Sequence, residues 1–114
     1  MFLVPSSAPP NITTLANSST ALDLLWQPVI VGDQNGIILG YRVSLFDADG
    51  SSLRNETVMN FNQLSYQFQD LEVWTNYSVK MCAFTSKGNG PYSARLPART
   101  GEGGKIKKIK LVLF

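Results

Sequence analysis

Between Asn76 and Phe84 the chain alternates with a period of two. Tyr77, Val79, Met81 and Ala83 fall on one side, and Asn76, Ser78, Lys80 and Cys82 on the other. A half-buried strand produces this pattern, whereas a helix spaces its apolar residues three and four apart. The same period returns at Leu22, Leu24 and Trp26, with Asp23 and Gln27 facing away, and at Tyr41, Val43 and Leu45, with Ile38 leading in. Helical spacing sustained over three turns occurs nowhere in the first 100 residues.

Turn chemistry separates these runs. Pro28 ends the tryptophan run; Gly32, Asp33 and Asn35-Gly36 form a loop; Asp47-Ala-Asp-Gly50 turns the chain, and Gly88-Asn-Gly-Pro91 turns it again. Pro5, Pro9 and Pro10 make an extended start, after which Ile12 and Leu15 offer apolar positions for a first edge strand. Thr57, Val58 and Met59, and then Tyr66 with Phe68, suggest peripheral strands, and a last strand is expected from Ser93 to Ala98. About seven short strands in about 100 residues point to an all-β, seven-stranded antiparallel Greek-key sandwich.

The 114 residues suffice for one core, and 44% hydrophobic content is ample to fold it. The net charge of +2 is misleading. Lys105, Lys107, Lys108 and Lys110 hold four of the ten cations, leaving six in residues 1–100 against seven of the eight carboxylates. Without a basic footprint in the globular part, nucleic acid is not expected as a partner. The sequence has no histidine and one cysteine, Cys82. This removes most zinc sites, the Ser-His and Cys-His nucleophile systems and any intrachain disulfide. No enzyme activity, cofactor, metal or small-molecule substrate is expected. No apolar run reaches the ~18 residues of a membrane span. Met1-Phe-Leu-Val4 is too short for a signal-peptide core, so Met1 is read as the start of a fragment.

Taken in order, Ser19, Leu22, Leu24, Trp26 and Pro28, then Asn35-Gly36 with Ile38, Tyr41 and Val43, then Leu71, Thr75 and Tyr77, and finally Gly88, Gly90, Pro91, Ser93 and Thr100, resemble a fibronectin type III domain over residues 8–100. The resemblance makes residues 1–7 an N-terminal linker and residues 101–114 a Gly/Lys-rich tail. It also implies structural roles for Trp26, Tyr41, Leu71 and Tyr77, the last in a tyrosine corner whose hydroxyl bonds back to nearby backbone. Val73 and Trp74 stand where the family often has Pro and Gly. No Arg-Gly-Asp is present, so an integrin-binding loop is not implied.

Four N-glycosylation sequons occur, at Asn11, Asn17, Asn55 and Asn76, and Asn76 has the outward parity of its strand. They suggest a secreted or cell-surface protein. Cys82 shares that parity and is read as a free thiol partly covered on the sheet's second face, with an intermolecular or interdomain bridge as the alternative. Asp47 and Asp49 alone make a turn and not a calcium site. Residues Val29 to Asn35 and Thr85 to Asn89 should cluster at one end as the B–C and F–G loops and form the binding surface. Val29, Asp33, Gln34, Asn35, Ser86, Lys87 and Asn89 are the candidate contacts, and Trp74 is a candidate at the opposite end. Gly101 to Gly104 reads as a linker, and Lys105 to Phe114 as a juxtamembrane start, a polyanion-binding tail, an extra strand or a non-native addition.

The expected function is an extracellular protein-interaction and spacer module of an adhesion molecule or receptor. It would contact other proteins and the neighbouring domains of its own chain, meet a membrane only through the parent protein, and be a monomer in isolation. An intracellular structural repeat, or a non-catalytic appendage of an enzyme such as a receptor tyrosine phosphatase, remains the alternative.

Overall fold

The structure, a computed structural model, describes residues 4–101; the expectations for residues 1–3 and 102–114 lie outside the described residues. Its strands are β1 (Thr13–Ser18), β2 (Ala21–Leu25), β3 (Gly40–Phe46), β4 (Ser52–Val58), β5 (Ser65–Phe68), β6 (Asn76–Thr85), β7 (Gly88–Asn89) and β8 (Leu96–Arg99). One sheet has the order β1-β2-β5 and the other β4-β3-β6-β7, with β8 also on β6; all pairings are antiparallel. The chain crosses between sheets after β2, β4 and β5, giving the expected sandwich.

Period-two patterning places the core. Leu22, Leu24 and Trp26 from one sheet meet Tyr41, Val43, Leu45, Val79, Met81 and Ala83 from the other, all essentially buried. Trp26 and Tyr41 pack edge to face with centroids 5.2 Å apart. Burial raises the pKa of the Tyr41 phenol, and the Trp26 indole N–H beside it partly offsets that. The indole N–H is close enough to act electrostatically, yet has no partner at hydrogen-bonding geometry among the described residues. The Tyr41 hydroxyl donates instead to the Phe61 carbonyl, 3.0 Å away.

Several local expectations change. It is Ile12, just before β1, that packs on the core, while Leu15 within β1 is 56% exposed, because its place opposite Asp23 faces solvent. A single helical turn, α1 (Val31–Gln34), sits within the B–C loop and ends at Asn35 in the left-handed region, φ 57°. The turn expected at Gly88 to Pro91 lies at Ser86 and Lys87; Thr85 pairs with Gly88, whose φ of 143° suits glycine.

The eight strands occupy seven positions, since β7 and β8 are one final strand interrupted between Gly90 and Arg95. Pro91 has no N–H to donate, and the ladder is patched irregularly. Gly90 N–H donates to the Ala83 carbonyl and Ser93 N–H to the Met81 carbonyl, while the Ser93 hydroxyl accepts the Met81 N–H. The last regular strand therefore begins at Leu96, not at Ser93.

Residues Val4 to Ser7, expected as linker, are packed against the sandwich. Pro5 is buried and Ser6 N–H donates to the Asp33 carbonyl at 2.8 Å. The backbone of Gly90 comes so close to Pro5 that a Cβ there would lie 2.7 Å from the proline Cβ.

Candidate functional site

Two loops and the N-terminal segment converge at one end of the sandwich, as the topology requires. The side chain of Asn35 donates to the Val4 carbonyl at 3.1 Å, and that of Gln34 to the Val29 carbonyl at 3.0 Å. Asp33 holds Ser6 through its backbone. Of the residues singled out in sequence, Val29 is 2% exposed and belongs to the core, because the chain turns inward after Pro28. Asp33, Gln34 and Asn35 are half-buried, their polar groups shaping the loop, and Ser86, Lys87 and Asn89 stand exposed on the neighbouring turn.

The most exposed apolar side chains here were not among those candidates. Val31 is 83% exposed and Ile37 80%, and Ile30 and Phe61 also project into solvent. Ile37 and Phe61 line a cleft of about 350 Å³ together with Pro28, Ile38, Tyr41 and Leu64, while Ile30 and Val31 are exposed in the adjoining B–C loop. The signal was present in Val29-Ile-Val31 and Ile37-Ile38. Apolar runs of this kind read as strand from pattern alone, and only Pro28 and Gly36 mark them as loop.

The opposite end is a hydrogen-bonded corner. The Tyr77 hydroxyl accepts the Glu72 N–H at 2.9 Å. Thr100, 1% exposed, accepts the Thr75 N–H at 2.8 Å and donates to the Glu72 carbonyl at 2.7 Å. Trp74 adopts φ 50°, a left-handed conformation that explains why glycine is favoured at this position. Trp74 as a whole is 47% exposed, with the Arg99 guanidinium 4.3 Å from the centre of its ring.

Cys82 is fully buried, not partly covered, because Arg42 and the Gly90 to Arg95 segment close over the outer face of β6. Burial pushes its thiol pKa up, and the Tyr92 hydroxyl and Arg42 partly counter this. All four sequon asparagines are exposed. Asn17 donates to Asp23 and Asn55 to Ser52, whereas the Asn11 and Asn76 side-chain amides have no such bond among the described residues. The Asp47 carboxylate accepts the N–H groups of Asp49 and Ser51, as a turn residue does. No group of three potential metal ligands exists among the described residues.

Known proteins share this arrangement. The family model for the fibronectin type III domain matches residues 7–99. The chain is 38% identical over 99 residues to tyrosine-protein phosphatase Lar of Drosophila melanogaster, covering 87% of this chain and 5% of that protein. It is 35% identical over 103 residues to the cell adhesion molecule DSCAM of Gallus gallus, again covering 87% of this chain and 5% of that protein. The solution structure of the fn3 domain of human contactin 1 superposes with a TM-score of 0.74 at 23% identity, covering 88% of this chain and 82% of that one, and so supports the fold alone. The chain spans about one-twentieth of the length of each of the two relatives. With a buried tryptophan strand, a closed tyrosine corner and the matching family model, this chain belongs to the fibronectin type III family.

Proposed function

We propose that this domain is an extracellular protein-interaction and spacing module of a multi-domain adhesion molecule or receptor. The observation that carries this reading is the exposed apolar surface at the loop end, where Ile37 and Phe61 line the cleft and Ile30 and Val31 stand exposed in the adjoining loop. A domain with a complete core of its own gains nothing from leaving such side chains in water, and a rimmed apolar patch marks a contact surface. The mechanism is surface complementarity. The partner's contacting residues are apolar, and their burial in the cleft supplies the affinity.

Four exposed sequon asparagines support the extracellular location, with Asn11 and Asn76 most available for a glycan. The similarity to a protein named as a tyrosine phosphatase favours a second version of this reading, in which the module sits in a receptor whose catalysis lies outside this chain.

The experiment is adhesion of cells displaying the parent protein, challenged with soluble domain made through a secretory pathway. The domain should block adhesion, Ile37→Asp with Phe61→Asp should not, and N-glycosidase should shift the mobility of the secreted form. Equal blocking by the variant overturns the contact surface, and an unchanged mobility overturns the extracellular location.

A further inference from the structure

The outward face of the larger sheet carries four of the six described cations: Arg42 on β3, Lys80 on β6, Arg95 just before β8 and Arg99 on β8. Strand register sets their order. Arg42 lies opposite Cys82, Lys80 is two residues further along β6, and Arg99 lies opposite Asn76. From Cys82 to Asn76 is about 20 Å of strand. Each cation rests on a ring. The Arg42 guanidinium is 4.3 Å from the centre of Phe84, and the Lys80 ammonium 4.4 Å from Tyr92 and 5.4 Å from Phe46. Arg95 is 3.9 Å from Phe46, and Arg99 covers Trp74.

Among the described residues, the carboxylates nearest this face are those of the Asp47–Asp49 turn. Asp23 lies on the other sheet, Asp33 in the B–C loop, and Asp70 and Glu72 at the tyrosine-corner end, while Glu56 is paired with the inward Val43. Asp47 lines a groove with Arg95, Asn76 and Ser78, its carboxylate held by the N–H groups of its own turn. The chain has thus gathered its positive charge into one stripe, on a body with more carboxylates than cations.

We propose that this stripe binds a linear sulfated polysaccharide. The stripe runs obliquely over β3, β6 and β8 for about 20 Å, a length that fits an extended chain with regularly spaced anions. Side chains laid flat on rings have already lost rotamer freedom, which lowers the ordering cost of binding. Phe46 and Phe84 are buried beneath their cations and offer no free face on which nucleic-acid bases could stack. This inference stands apart from the loop-end contact surface, and either can fail without the other.

The test is titration of the full chain, made unglycosylated because Asn55 and Asn76 border the stripe, with a heparin octasaccharide at about 50 mM salt. The background carries Lys105→Gln, Lys107→Gln, Lys108→Gln and Lys110→Gln, so that the tail contributes no charge. Binding should persist in that background and weaken steeply with salt. Arg42→Gln, Lys80→Gln and Arg95→Gln together should weaken it at least about tenfold and flatten the salt slope by roughly 0.7–0.9 per cation removed. Lys87→Gln with Arg54→Gln, off the face, should leave it unchanged. If the triple variant fails to fold by circular dichroism, Arg95→Gln alone gives the reading, because Arg95 is exposed and rests on the surface of Phe46. Absence of binding in the neutral-tail background, equal binding by whichever stripe variant folds, or equally tight binding of polyglutamate or oligo-dT overturns the proposal.

Discussion

The hydroxyl of Tyr77 accepts the backbone N–H of Glu72 at 2.9 Å, so the first residues after β5 are fixed to the strand that follows them. The bond is partly buried, with Tyr77 itself in the core. Tyr77→Phe should therefore lower unfolding free energy by about 1–3 kcal/mol. Urea denaturation checks this, and a change within error would show that the bond does not hold the corner.

Thr100 reaches the same few atoms from the far end of the chain, serving the Thr75 N–H and the Glu72 carbonyl with one hydroxyl. Thr100→Val keeps the shape and orphans both groups, at a cost of about 1–3 kcal/mol. Because it shares Glu72 with Tyr77, the double variant should lose less than the two single losses combined. Strict additivity in the same urea series would mean that the two bonds act separately.

Gly90→Ala places a Cβ 2.7 Å from the Pro5 Cβ and 2.8 Å from its carbonyl oxygen. The N-terminal segment must yield, and the loss should be about 1–3 kcal/mol. Removing residues 1–7 should abolish most of the difference between alanine and glycine at this position. Thermal melts of the four proteins read this directly, and an equal penalty in the shortened chain would place the clash elsewhere.

Cys82 has zero exposure, and its buried thiol has its pKa raised. The native protein should leave a chromogenic disulfide reagent unreacted at neutral pH and react fully in denaturant. The folded state holds this proton more tightly than the unfolded state does. The stability it contributes is therefore whole at neutral pH and declines as pH rises past the ordinary thiol range, about 8.5. Cys82→Ala should flatten that alkaline decline, although it also leaves a small void. Rapid labelling of the native protein would contradict the burial.

Ile37 is 80% exposed, and Ile37→Ser should leave stability within about 0.5 kcal/mol. It should also reduce binding of a hydrophobic dye to the folded domain. Unchanged dye fluorescence would mean that the cleft rim is not the accessible apolar surface.

What could be read in advance followed from local periodicity. Strands β2, β3 and β6 have one face in the core, so Leu22 to Trp26, Tyr41 to Leu45 and Tyr77 to Ala83 announce themselves by parity, and Tyr77 by its place relative to Leu71 and Thr75. The features that escaped depend on residues far apart in the chain. Pro5 is buried only because Gly90 lacks a side chain, 85 positions later. The cationic stripe needs the register of β3 on β6 and the irregular path of Gly90 to Arg95, neither of which leaves a pattern in the composition. At the loop end, Ile30, Val31 and Ile37 look like core residues until their neighbours are known.

The break in the final strand divides the domain dynamically. β7 is held to β6 by two residue pairs beside the loops, and β8 by four beside the tyrosine corner, with Ser93 between them. Opening of the F–G hairpin can stop at the break without unzipping β8, so amide protons around Phe84 and Asn89 should exchange through a local fluctuation and those around Tyr77 and Ala98 only on global unfolding. The end that meets partners is thereby free to adjust its shape while the corner that fixes the module's exit geometry stays rigid.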